Sequence, residues 1–517
     1  ALALAHQRLL TGHQLPARWQ ARRHFVVLAT GFGCGESFLA TWDAWRRDPA
    51  RCERLICIAV DAQPLSREQL ARAWVDSPLP ELAQALCNAW PALTPNLHPL
   101  AFDGGRVRLL LGFGAPAALL RELHAQADAI DLVGDEAPPA AGWDRWRAAA
   151  LARLAAPQAT LAGHAPPGFS DALAAAGFAV ERSAPFTVAR YQPRFSASVP
   201  AAPPAPASRQ AVVVGAGLAG ASVAAALAAL GWVVTVFDRQ PQPAAEASGN
   251  PAGLFHGTLH ADDGPHARLF RAAALLAERR LRPLIEAGAV RGQIDGLLRL
   301  GDGADALPTM RALLQRQRLP ADYVQALDRD AVSQKAGVAL ARPGWFYPGG
   351  GWLAPADAVR HWLAREGVRF VGGVNVAALR QSGDGWQVLG ADGTVLADTA
   401  ALVLANAGDA ERLLAPLGQQ PWALRRTRGQ VSGWQGMPTP LRLPVAGDGY
   451  ALPWGDGLLC GATVAAGDDE PALRDADHHH NFERLQRLTG LSAPADGAAW
   501  SGRVGWRLAA DDRLPLV

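Results

Sequence analysis

Ala211-Val212-Val213-Val214 runs directly into Gly215-Ala216-Gly217-Leu218-Ala219-Gly220, and an Ala/Leu-rich stretch continues to Leu230. The four apolar residues read as a buried strand and the stretch after the glycines as a helix. A second apolar strand follows, Val233 to Phe237, and Asp238 ends it, 23 residues after Gly215. Strand, glycine turn, helix, strand and acid make one βαβ unit of about thirty residues. The first glycine permits the tight turn, the second lets the backbone approach a pyrophosphate, and the third lets helix and strand pack closely. The helix N-terminus offers free N–H groups and partial positive charge to the phosphates. A carboxylate at Asp238 can accept hydrogen bonds from ribose hydroxyls. Gly215, Gly217, Gly220 and Asp238 are therefore candidate cofactor-binding residues. A purely structural glycine turn is the competing reading, and the complete strand–helix–strand–acid context argues against it. The motif alone leaves FAD and NAD both open.

Upstream, Ser196 to Ser208 reads SASVPAAPPAPAS. A Pro-rich, uncharged segment of this kind cannot pack a core and favours an extended linker. It predicts domains over 1–195 and 209–517, joined by 196–208. The N-terminal part alternates strand-like and helix-like segments, which predicts a parallel α/β sheet. Phe25 to Ala29 is a strand that meets Gly31-Phe32-Gly33-Cys34-Gly35. Glu36 to Arg46 has helical apolar spacing, and Leu55 to Val60 is a strand ending on Asp61. This second glycine turn suits an adenosyl group such as that of S-adenosylmethionine. Gly31, Gly33 and Gly35 would allow close backbone approach, and Asp61 would hold the ribose diol. The motif is short, and a structural turn remains a real alternative. In the C-terminal part, Gly385 to Leu389 and Ala401 to Leu404 read as further strands.

The composition narrows the remaining choices. A chain of 517 residues with a net charge of +2 is no polycation, so any nucleic-acid surface must be a local Arg patch. The five cysteines form no Cys-x-x-Cys pair, which argues against a disulfide framework or zinc site and for a reducing compartment. No apolar run approaches a membrane span, and Ala1 to His6 do not read as a signal peptide, so a cytoplasmic location is expected. The chain starts without Met and stops inside an apolar run at Leu516-Val517, so both ends read as cut. His478-His479-His480 are adjacent and would diverge on a helix, which predicts a solvated polar stretch and no metal. The seventeen tryptophans are expected in core and surface roles, not as base-stacking platforms.

At this point the chain resembles one family along nearly its whole length. These are the bifunctional bacterial enzymes that complete 5-methylaminomethyl-2-thiouridine at the tRNA wobble position. Ala247-Ser248-Gly249-Asn250-Pro251-Ala252-Gly253 resembles their flavin loop, and Phe346 to Trp352 (FYPGGGW) their aromatic segment. Leu404-Ala405-Asn406-Ala407-Gly408 resembles the strand end that meets the flavin. Arg428-Gly429-Gln430 and Gly449-Tyr450 also match, as does Gly502-Arg503-Val504-Gly505-Trp506-Arg507. In the N-terminal half, Gly31 to Phe38 and Phe102 to Val107 are similar to family motifs. Gly112-Phe113-Gly114-Ala115 lacks the family's acid, and Val133-Gly134-Asp135-Glu136-Ala137-Pro138 is a displaced form of the family's Asp-containing loop.

The resemblance implies a Rossmann-like methyltransferase domain, then a Rossmann-type FAD domain with a mixed-sheet substrate subdomain. It implies FAD and S-adenosylmethionine as cofactors and tRNA as substrate. Gly249 and Asn250 would join the FAD site, Arg507 would bind the substrate carboxylate, and Asp135 would serve methyl transfer. Arg503, four residues before Arg507, shares its strand face and is the local competitor. The altered loops predict weak methyl transfer. Two rival readings stay open: a small-molecule amine oxidase with a decayed N-terminal domain, and an inactive tRNA-binding protein.

Overall fold

The computed structural model describes residues 2–133, 144–166, 168–183, 186–193, 208–495 and 499–516. Asp135 and most of the expected linker lie outside the described residues. The chain divides into two compact units, Ala1–Ala202 and Pro203–Val517.

Unit 1 is built on an eight-stranded sheet. In spatial order its strands are Leu97–Phe102, Val107–Phe113, Arg54–Asp61, His24–Ala29, Ala127–Leu132, Ala155–Gly163, Phe186–Tyr191 and Phe178–Ser183. The five from Val107–Phe113 to Ala155–Gly163 are parallel, and the outer ones pair antiparallel. Helices cover both faces, which is why His24–Ala29 is apolar without alternation and buried over its middle four residues. His24–Ala29 is flanked by a later strand on each side, so the order switches there and opens a crevice at the strands' carboxyl ends. The Gly31–Gly35 turn leaves the sheet at that crevice. Trp19, Trp42, Trp45 and Trp90 are fully buried, so these indoles are core, as expected.

Unit 2 contains two main sheets. The first is parallel, in the order Val368–Val371, Val233–Phe237, Gln210–Val214, Ala401–Leu404. The helix Leu218–Ala229 connects Gln210–Val214 to Val233–Phe237. The second sheet has nine strands and is mixed: Leu297–Leu300 pairs parallel with Val445–Gly447, and the other pairings are antiparallel. The strand Leu424–Trp434 lies toward one end of this sheet, next to Ser501–Ala510, which is zipped along it over ten residue pairs.

The helix Asp475–Thr489 packs on one face of this mixed sheet through Phe482, Leu485 and Leu488. Arg428, Gln430 and Ser432 alternate toward that same face. Arg428 is fully buried and donates to the Glu470 carbonyl (2.7 Å), the Ala472 carbonyl (2.7 Å) and Asp477 Oδ2 (2.6 Å). Gln430 pairs with both backbone groups of Arg474, and Asn481 reaches the Gln430 carbonyl and Ser432 Oγ. The Arg428 and Gln430 side chains therefore dock a helix and do not face the candidate site. Removing one partner of a buried pair leaves an uncompensated charge. Asp477→Ala should cost unit 2 about 3 kcal/mol in urea unfolding; a change near zero would contradict this account.

Contrary to the expectation of a solvated stretch, His478–His480 do not share one environment. The three do diverge on the helix, but only His479 and His480 are solvated. His478 is buried, between Phe482 and Trp500. Among the described residues no cluster of metal-ligating side chains is present.

Candidate cofactor and active sites

In unit 2 the three fingerprint glycines have different structural reasons. Gly215 has φ +106°, and a Cβ there would sit 2.5 Å from the Ala405 carbonyl oxygen. A Cβ on Gly220 would overlap the Gly215 carbonyl oxygen. The chain's own packing therefore requires both. Gly217 differs: its backbone is extended, and a Cβ would meet only Ser248 Oγ, at 3.0 Å. The protein itself does not need that side chain to be absent; a pyrophosphate drawn close to the turn does. The Ala216 N–H donates to Asp238 Oδ2 (2.7 Å) and the Gln240 N–H to Asp238 Oδ1 (2.8 Å). These bonds hold the carboxylate beside the turn, with lone pairs left for ribose hydroxyls. The residues present fit an FAD.

The loop resembling the flavin loop folds over this turn. The Ala244 N–H donates to the Ala216 carbonyl (3.0 Å), and Ser248 Oγ accepts from the Leu218 N–H (3.0 Å). Gly249 closes the single turn Ala247–Gly249. Asn250 follows, and its buried Oδ1 has no partner among the described residues. The strand Gly253–Phe255 then pairs with Gly351–Leu353, which carries Trp352 of the aromatic segment. Tyr347 of that segment lies beside His256 (5.2 Å between rings), and burial pushes its hydroxyl well above the ordinary tyrosine range.

The mixed sheet presents its other face to this loop. Arg503, Gly505 and Arg507 stand opposite Val431, Gly429 and Thr427 on the facing strand. All six side-chain positions therefore lie on the face away from the Asp475–Thr489 helix. Asn250 Oδ1 lies 3.6 Å from the position a Gly505 Cβ would take. Tyr450 belongs to the same row through Gly461 and Val431. Burial pushes its hydroxyl up to about 12, with Cys460 adding to the rise, while the nearby Arg507 charge pulls it down. Arg507 is exposed and has no ion-pair partner among the described residues, so a surface salt bridge does not account for it. Trp506 points the opposite way and donates to the Asp468 carbonyl (2.8 Å).

The structure thus gathers Gly215, Gly217, Gly220, Asp238, Gly249 and Asn250 around one turn, with Arg507 and Tyr450 on the sheet face beside Gly505. His256 and Ser248 were not singled out from sequence. Ser248 lies inside the segment that resembles the flavin loop, but its bond to the Leu218 N–H, like the approach of His256 to Tyr347, comes from a fold-back of the chain.

Unit 1 holds a second assembly. Gly35 has φ +86°, and its Cβ would lie 2.8 Å from the Phe32 ring; a Gly31 Cβ would lie 2.9 Å from the Val133 carbonyl oxygen. Above Gly33 (φ +58°) the space is open except for Glu36 Oε2 at 3.5 Å. Asp61 Oδ2 accepts from the N–H groups of Phe32 (3.3 Å) and Gly33 (3.2 Å), and Asp61 Oδ1 from Gln63 N–H (2.9 Å). Gly31, Gly33, Gly35 and Asp61 thus meet at the crevice of the parallel sheet, which fits an adenosyl ligand. Beside them Arg8 pairs with the buried Asp131 (2.9 Å) and donates to Ser37 Oγ (2.6 Å), a contact not foreseen from sequence.

By fold and site, unit 2 is an FAD-dependent oxidoreductase. The family model described as "FAD dependent oxidoreductase" matches residues 210–517. Its fold is like that of glycine oxidase from Bacillus cereus ATCC 14579, at TM-score 0.50 and 21% identity, over 59% of this chain and 84% of that one. The tRNA 5-methylaminomethyl-2-thiouridine biosynthesis bifunctional protein MnmC of Methylibium petroleiphilum is 50% identical over 541 residues, covering 100% of this chain and 82% of its own length. The protein of the same name from Burkholderia cenocepacia (strain HI2424) is 43% identical over 531 residues, covering 100% and 81%. The chain belongs to the family of tRNA 5-methylaminomethyl-2-thiouridine biosynthesis bifunctional proteins.

Proposed function

We propose that the chain is a bifunctional enzyme acting on the wobble uridine of tRNA. Unit 2 converts the 5-carboxymethylaminomethyl group to aminomethyl, and unit 1 then N-methylates the amine with S-adenosylmethionine. Bound FAD supplies the two-electron oxidation of the side chain's C–N bond, after which water releases glyoxylate. The observation that carries this reading is the unpaired Arg507 guanidinium beside Tyr450, on the sheet face that meets the flavin loop. A guanidinium can grip a carboxylate with two parallel charge-assisted hydrogen bonds. Arg507 anchors the carboxymethyl anion, and the Tyr450 hydroxyl, kept neutral by burial, adds a donor. Asn250 Oδ1 and the Asp238 carboxylate orient the cofactor. In unit 1, Asp61 holds the donor's ribose and Asp135 is assigned to the amine. With Ala115 in place of the family's acid, methyl transfer is the slower half.

No helix among the described residues is long and apolar enough to cross a membrane, and we place the enzyme with its tRNA in the cytoplasm. The test is nucleoside analysis of tRNA from a strain lacking the gene, with and without the gene restored. Without the gene the carboxymethylaminomethyl base accumulates, and restoration removes it. A nucleoside profile unchanged by deletion would leave a small-molecule amine oxidase or an inactive binding protein. For unit 1, Asp61→Ala should weaken S-adenosylmethionine binding about tenfold or more in isothermal titration. Equal affinity for both proteins would remove Asp61 from the site.

A further inference from the structure

Arg503 sits on the same strand face as Arg507 but turns to a different partner. Its Nη2 donates to the Ala245 carbonyl (2.6 Å) and to the Glu246 carbonyl (2.8 Å), more than 250 residues earlier in the chain. The loop rests directly on the guanidinium: a Cβ on Gly249 would lie 2.5 Å from that same Nη2. From the other side, the Glu246 carboxylate accepts from Arg239 (3.2 Å) and Gln240 (3.0 Å), the two residues that follow Asp238. Residues 245–249 are thus held between the end of the Rossmann strand and the strand that carries Arg507. Two residues past Arg503, Gly505 leaves room for Asn250.

We infer that Arg503 is a positioning residue of the flavin site, fixing the 244–250 loop in register with the strand that carries Arg507. The choice of residue supports this. Arg503 Nε is buried without a partner among the described residues, and an unpaired buried donor is unfavourable. An apolar side chain would avoid that cost, but it could not grip two carbonyl oxygens. A cation that captures the carbonyls of residues 245 and 246 fixes where Ser248, Gly249 and Asn250 lie over the glycine turn. Through the shared strand it also fixes the distance from that loop to Arg507. Arg503 does not itself meet substrate in this account; it acts through the loop.

This inference rests on the flavin reading of unit 2, and the experiment separates the two. FAD is titrated into flavin-free wild type, Arg503→Lys and Arg503→Met, followed by flavin fluorescence, and each flavin-free protein is melted. Arg503→Met keeps the length and loses the donors; its FAD Kd should rise about thirtyfold. Arg503→Lys keeps a cationic donor and should stay within about threefold of wild type. The flavin-free melting temperatures should agree within about two degrees. If Arg503→Met binds FAD as tightly as wild type, the inference fails while the flavin reading stands. If the Lys and Met variants lose affinity equally and their flavin-free forms melt earlier in parallel, Arg503 is only packing and the inference fails. If wild type takes up no FAD, both fall together.

Discussion

Arg507→Ala retains its flavin and its affinity for tRNA, but its flavin is reduced by carboxymethylaminomethyl-tRNA about a hundredfold more slowly than that of wild type. The loss comes from orientation. The substrate carboxylate is an anion beside a polyanion, and general electrostatic attraction to tRNA does not choose which C–H bond faces the flavin. A planar guanidinium does, because two parallel hydrogen bonds fix the carboxylate's plane. Arg507 is free to do this: it has no ion-pair partner among the described residues, and it neighbours the Tyr450 hydroxyl. Arg507→Lys should recover only part of the rate, since a point charge does not set a plane. Anaerobic stopped-flow reduction measures both variants. Wild-type reduction by Arg507→Ala would remove this residue from the site.

Gly217→Val should yield a folded protein with no flavin absorbance. Its Cβ would meet only the end of the flexible Ser248 side chain, so the fold tolerates it, while the branched side chain fills the space a pyrophosphate requires. Gly220→Val should fail differently. Its Cβ would overlap a backbone carbonyl, which cannot move without opening the turn. That variant should lose cooperative unfolding of unit 2 along with the flavin. The contrast is informative, since two substitutions in one motif should separate ligand space from packing. Circular dichroism with visible absorbance distinguishes them. Full flavin absorbance in Gly217→Val would overturn the assignment of the turn.

The parts of this site that were legible in sequence are those with local causes. Gly215 to Asp238 is a single βαβ unit whose motif spacing falls within 24 residues, so the turn could be read, although the atoms that crowd Gly215 and Gly217 come from Ala405 and Ser248, farther along the chain. Gly31 to Asp61 was legible for the same reason. The strands Gly385–Leu389 and Ala401–Leu404 were readable as short apolar runs, but not their sheet partners. The mixed sheet was beyond reading from residues alone, because its order depends on pairings such as Leu424–Trp434 with Ser501–Ala510, some eighty residues apart. The division of labour between Arg503 and Arg507 follows from that register and from the loop at Ala245, so spacing left them equivalent. His478 was misjudged with its neighbours because a charged, His-rich string hides which one residue the helix turns toward Phe482 and Trp500.

The central claim is that unit 2 removes a carboxymethyl group from a tRNA base with a flavin held at Gly215–Gly220. The most direct measurement incubates the purified, FAD-loaded chain with carboxymethylaminomethyl-tRNA and an electron acceptor, without S-adenosylmethionine, and analyses the nucleosides and the small-molecule products. Aminomethyl-uridine and glyoxylate appearing in equal amounts is the predicted result. An unchanged carboxymethylaminomethyl base, from protein whose flavin is intact and reducible by dithionite, would contradict it.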